Sequence, residues 1–259
     1  MLRALGALAL ASLGAACSSS RPGPFDGAHW RGETWSGALA QQGRHAAEWL
    51  PPTVLAGALP LAFAFDDELQ DDSRDQHYLT GGITLGGDVV SPALGGLALA
   101  IGGVEWWQGD QGRFFEVAAE SLLATTAATH AVKFATQRSR PDAPQTSDSF
   151  PSGHTSLATS GATLLARWVD ERWESKWGYL AFAPATYVAL TRMEGNRHYA
   201  SDVVAGAALG IFFTNWVFDA HYGDAQATDA LYRPRERSFV SLWPYADGDA
   251  LGLTLAITF

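Results

Sequence analysis

The sequence predicts an all-α fold, a bundle of about six core helices closed by a short C-terminal β-hairpin. Six apolar stretches rich in Ala, Leu and Gly are separated by charged residues, and none alternates as a strand would. Alternation occurs only at the end, where Leu251, Leu253, Leu255, Ile257 and Phe259 follow an Asp247-Gly248 turn. At 259 residues the chain is long enough for one well-buried domain with a small appendage.

The first element is an export signal over residues 1–16: Arg3, an apolar run from Ala4 to Leu13, then small residues before Cys17. Cys17 is the only cysteine, which excludes an internal disulfide. Small residues before a cysteine, with Ser18-Ser19-Ser20 after it, resemble a bacterial lipoprotein signal whose cysteine becomes lipidated, although Leu13 sits one place further away than usual. This predicts a periplasmic protein lipid-anchored to the bacterial outer membrane, an ordinary cleaved signal being the alternative. Residues 17–45, rich in Ser, Gly and Pro, read as a tether.

The helical domain then runs over 46–221, with helices expected at Trp49 to Phe65, Val89 to Val104, Ser121 to Val132, Thr155 to Ala166, Trp177 to Thr191 and Val203 to Phe218. A membrane span needs about 20 apolar residues, and charges end each of these stretches at 17 or fewer. With a mean hydropathy of −0.02, this favours buried core helices over short integral inner-membrane spans. Residues 222–259 are a polar connector followed by the hairpin, expected to pack on the helical body. A net charge of −10 argues against nucleic acid as a partner, and oligomeric state is unreadable.

Three short blocks carry the chemistry. Lys133, one of only two lysines, lies seven residues before Arg140-Pro141. On a continuous helix the two cations would share a face, with Pro141 stopping the helix. Alone, such a pair is usually a solvated face, as Arg138 could be. Pro151-Ser152-Gly153-His154 follows a polar loop and opens an apolar run. It therefore belongs at a helix start, where free N–H groups and the dipole favour an anion. A capped helix with a structural histidine fits that tetrapeptide equally well. His198 and Asp202 are four apart, hence helical neighbours beside Arg192. A carboxylate there fixes the tautomer of the imidazole and raises its basicity. His29, His45, His77, His130 and His221 lack ligand spacing, so no metal or other cofactor is expected.

In this order and spacing the blocks resemble the type 2 phosphatidic acid phosphatase superfamily, whose fold is shared with bacterial acid phosphatases and vanadium haloperoxidases. The one departure is Thr191 where that family usually has Ser. The resemblance covers roughly residues 50–220. It implies a nucleophilic His198 oriented by Asp202, with His154 protonating the leaving oxygen and later activating water. Lys133, Arg140 and Arg192 would hold the phosphoryl oxygens, helped by the Ser152 hydroxyl and the Gly153 N–H. The implied activity is metal-independent hydrolysis of phosphate monoesters or lipid phosphates, such as phosphatidic acid or an isoprenyl pyrophosphate, through a phosphohistidine. The alternatives are a vanadate-dependent haloperoxidase and a non-catalytic phosphate-binding envelope lipoprotein. The loops Asp66 to His77 and Asp142 to Phe150 are where substrate choice would reside, and they carry no readable specificity code.

Overall fold

The computed structural model describes residues 46–76, 85–110, 112–222, 239–247 and 250–258. The signal 1–16, the tether 17–45 with Cys17, and most of the connector lie outside them.

Seven α-helices are present among the described residues: α1 Ala46–Ala64, α2 Asp66–Gln76, α3 Ser91–Trp107, α4 Arg113–Thr136, α5 Gly153–Trp173, α6 Phe182–Glu194 and α7 Ala200–Tyr222. Each of the six expected stretches is helical. The fifth divides into a 3-10 turn, Lys176–Ala181, and α6. The seventh helix, α2, falls on the segment expected to be a loop. Its sequence, DDELQDDSRDQ, has no apolar stripe to find. Asp66, Asp67 and Glu68 in its first turn complement the helix dipole, and Gln70 Nε2 ties it to the Met193 carbonyl at 3.1 Å and to Asn196 Oδ1 at 2.6 Å.

Helix α5 is central and packs against α3, α4, α6 and α7. Ala158, Ala162 and Leu164 on α5 meet Ala98, Val117, Val188 and Val217 in a core of small side chains. Small residues let the helices approach closely. A Cβ at Gly206 would lie 2.5 Å from the Ser152 carbonyl oxygen, and one at Gly210 would lie 2.3 Å from that of Ser156. Both glycines are thus what allows α7 to lie directly on the first turns of α5, the arrangement that joins the second and third sequence blocks.

The expected core helices are not all buried. Most of α1 from Leu50 onward is exposed, and Trp107 and Phe134 are 88% and 81% exposed. Gly87–Trp107 and Ala200–Tyr222 are both long and apolar enough to cross a membrane, and the first is only 33% buried over its most apolar window. These helices run past the charges that bounded the apolar stretches, because a helix is not interrupted by a charge near its end. Phe239–Asp247 and Ala250–Thr258 pair antiparallel, with Phe239 opposite Thr258.

Candidate active site

Lys133 lies in the last turn of α4, which stops at Thr136 because Gln137 turns left-handed at φ 47° and its N–H caps the Lys133 carbonyl. Arg140 is therefore not on the helix, correcting the expectation of a shared helical face. It stands on an irregular segment after the helix, as a residue before proline favours. The two cations converge instead through the loop. Arg140 forks onto Asp148 at 2.9 and 2.7 Å, and the Lys133 ammonium donates to the backbone carbonyls of Asp148 and Ser149.

Ser152 caps α5, its Oγ accepting from the Thr155 N–H at 3.4 Å and the Thr155 hydroxyl at 3.0 Å. Its own N–H donates to the Asp202 carbonyl at 2.8 Å, fastening the start of α5 to that of α7. After α6, Asn196 takes φ 57°, and the N–H groups of Arg197 and His198 fold back onto the Arg192 carbonyl. That tight turn delivers His198 beside Asp202, with Nδ1 3.5 Å from Oδ2, a contact longer than a good hydrogen bond. The remaining acceptor positions of Asp202 are filled by Arg138 at 2.8 Å, the Tyr199 N–H at 2.9 Å and the Ser149 hydroxyl.

These elements enclose a cleft of about 760 Å³ lined by Lys133, Arg140, Asp148, Gly153, His154 and His198, together with Thr129 and His130 of α4 and Ser156 of α5. Five of the eight catalytic and phosphate-binding residues expected from sequence thus line one cleft. Ser152, Arg192 and Asp202 are buried and do not line it. The Ser152 oxygen is already engaged as the helix cap. The Arg192 guanidinium packs on the spot where a Cβ at Gly87 would be, and its Nε and Nη2 have no hydrogen-bond partner.

Electrostatically the cleft is poised for an anion. Burial lowers the Lys133 pKa against the pull of Asp148. Burial, then Arg192 and His198, bring His154 down to about 4, so it is neutral at pH 7. Burial likewise lowers His198, outweighing Asp202. Burial alone would raise the Asp148 carboxyl, but Arg140 more than offsets it and holds it ionised. Sequence reasoning missed Asp66, Arg138, Asp148 and Ser149; Asp66, Arg138 and Ser149 make their contacts across 53 to 135 residues, and Asp148 across eight. The only available signal for the last two was their position just before the Pro-Ser-Gly-His turn.

Residues 117–225 match the PAP2 superfamily. A curated relative, the lipid A 1-phosphatase of Porphyromonas gingivalis, is 38% identical over 100 residues, 37% of this chain and 22% of the relative. The chain therefore spans about a fifth of the length of that relative. A solved structure, a transmembrane PAP2 type phosphatidylglycerolphosphate phosphatase from Bacillus subtilis, superposes with a TM-score of 0.55 at 21% identity, over 67% of this chain and 93% of that one.

Proposed function

We propose that this chain is a member of the PAP2 superfamily, whose model residues 117–225 match, and a phosphatase that hydrolyses a lipid phosphate at a membrane, without metal, through a phosphohistidine. The observation that carries the reading is the single cleft uniting His198, His154, Lys133 and Arg140 at the start of α5. Phosphoryl transfer mostly demands positioning and neutralisation of equatorial charge, which cations and helix N–H groups supply.

In the reaction, Nε2 of His198 attacks phosphorus as the bond to the leaving oxygen breaks, and His154 gives that oxygen a proton. Asp202 faces Nδ1 and balances the positive charge on the phosphorylated ring. His154, now neutral, takes a proton from water as the water oxygen attacks phosphorus, and phosphate leaves with His198 restored. The depressed pKa of His154, held down first by burial, suits the base role. For the acid role the ring must take up a proton, which a phosphate dianion in the cleft favours by offsetting the positive field of the neighbouring Arg192.

A lipid rather than a soluble ester is supported by a second, almost wholly apolar groove of about 430 Å³, lined by Pro52, Leu59, Val132, Phe150, Phe212 and Phe213. Val132 and Phe150 adjoin Lys133 and Pro151 in sequence, so the groove borders the same elements as the cleft. The similar proteins act, by their names, on lipid A and phosphatidylglycerolphosphate. The exposed apolar faces of α1 and α3 support insertion in a membrane. A lipid anchor at Cys17 on a periplasmic face of the outer membrane is the alternative, and metabolic labelling of Cys17 with a fatty acid distinguishes the two.

The purified full chain should release phosphate from p-nitrophenyl phosphate and from a panel of lipid phosphates in EDTA, with vanadate inhibiting. His198→Ala should lower turnover at least about a thousandfold. Strict dependence on a divalent metal, or full activity in His198→Ala, would refute the proposal, and preference for soluble esters would refute its lipid part.

A further inference from the structure

Asp66, far upstream of the stretch that matches the family, is buried, with 4% of its surface exposed. Its Oδ1 accepts the Ser201 N–H at 2.8 Å, and its Oδ2 accepts the Ser201 hydroxyl at 2.6 Å and Arg138 Nη2 at 2.7 Å. Arg138 Nη1 donates onward to Asp202 Oδ1 at 2.8 Å and to Ser201 Oγ at 2.6 Å. The guanidinium is further fixed by Tyr199, whose ring centre lies 4.0 Å away, and by Phe63 at 5.2 Å. Charge therefore alternates along one line: Asp66, Arg138, Asp202, His198.

We infer that Asp66 and Arg138 are positioning residues for the histidine nucleophile, Asp66 holding Arg138 and Arg138 holding the carboxylate of Asp202 against His198. The inference rests on the phosphatase reading above. Its physical basis is twofold. A carboxylate that must orient an imidazole is useful only if its own two oxygens are fixed, and here Arg138, Ser149 and Tyr199 fix them. A guanidinium paired with Asp202 alone would draw its charge away from the ring. Asp66, engaging the opposite amino group, shares that cation and leaves Asp202 able to balance charge on His198. Planar, two-ended bridging of this kind requires arginine, because the ammonium of lysine is a single point charge. Asp66 also caps α7 from outside, through the Ser201 N–H.

The test compares Asp66→Asn, Arg138→Gln, the double variant and Arg138→Lys with the wild-type full chain on p-nitrophenyl phosphate. Arg167→Gln, at the far end of α5, serves as a control for lost stability. Each single variant should lower kcat about ten- to hundredfold with KM changed less than about twofold, as loss of an orienting partner does. The double variant should be no worse than Arg138→Gln, because the two act in series. Arg167→Gln should melt earlier with kcat per folded molecule unchanged. If Asp66→Asn does not fold, Arg138→Lys carries the test, with the same loss expected. Full kcat in folded Asp66→Asn or in Arg138→Lys overturns the inference, as does a double variant whose losses multiply. Turnover in wild type and Asp66→Asn alike sinks this inference alone. Absence of turnover in the wild type sinks the phosphatase reading and takes this inference with it.

Discussion

The two ends of α5 both bury charge, and they do so to opposite purpose. At the C-terminal end, Arg167 bonds Asp219 at 2.7 Å and Asn215 at 3.3 Å, and stacks over Phe218, while His221 meets Glu120 at 2.9 Å. Each of these side chains faces a carboxylate from another helix. At the N-terminal end, the Nε and Nη2 of Arg192 and the Nδ1 of His198 have no hydrogen-bond partner. Arg140 bonds the Asp148 carboxylate, whereas Lys133 donates to backbone carbonyls and feels that carboxylate only through space. A buried charge bonded to a carboxylate serves the fold, whereas buried donors left without a hydrogen-bond partner suit an anion.

The contrast is broken most directly by neutralising one arginine at each end. Arg167→Met should destabilise the protein by about 3–5 kcal/mol, since it removes a buried guanidinium bonded to Asp219, while kcat per folded molecule is unchanged. Arg192→Met should do the reverse: turnover falls about 10²–10³-fold, as when a charge-stabilising donor is lost, and the melting temperature holds or rises. Thermal melts beside steady-state kinetics check both, and matching behaviour of the two variants would erase the distinction.

The glycine contact tests how tightly the N-terminal end is coupled to packing. Gly210→Ala places a methyl 2.3 Å from the Ser156 carbonyl oxygen, and should cost about 1–3 kcal/mol. Because α7 would shift off α5, kcat should fall with it. Unaltered kcat in that variant would mean that the site does not depend on the close crossing.

The smallest effect lies in the pH dependence of stability. His154 sits at about 4 in the folded chain against 6.5 when unperturbed. Between those values the unfolded chain binds more protons, so this contribution is complete above pH 6.5 and is lost as pH falls toward 4. His154→Gln should flatten that acid slope by on the order of 1 kcal/mol, solvent screening of the part-exposed ring having been allowed for. Chemical denaturation at pH 7 and pH 5 measures it.

How much was legible follows from range. Six helices could be located because hydropathy is a local signal, and the Ser152 cap because its partner, Thr155, is three residues away. Helix α2 was invisible, since polar contacts such as Gln70 with Asn196 hold it across 126 residues. The misplacement of Arg140 came from extending a helix to Pro141, where a non-glycine residue, Gln137, in fact adopts the left-handed turn. His198 and Asp202 could be paired by spacing, but Arg138 and Asp66 behind them could not, as nothing local distinguishes a buried arginine from a solvated one. The exposed apolar faces of α1 and α3 were not foreseen because counting uncharged residues says nothing about which faces find a partner helix.

Asp148 carries one last implication. Its side chain is 50% exposed yet forks onto Arg140, so the cleft comes with a counterion of its own. On the proposed phosphatase reading, an incoming phosphate would not simply add to a bank of cations: it would exchange with a tethered carboxylate, as on an ion-exchange resin. Singly charged anions such as chloride would gain little from that exchange, whereas a phosphoryl dianion with three oxygens would gain more. The same swap in reverse would return the carboxylate to Arg140 as product departed, easing release of inorganic phosphate.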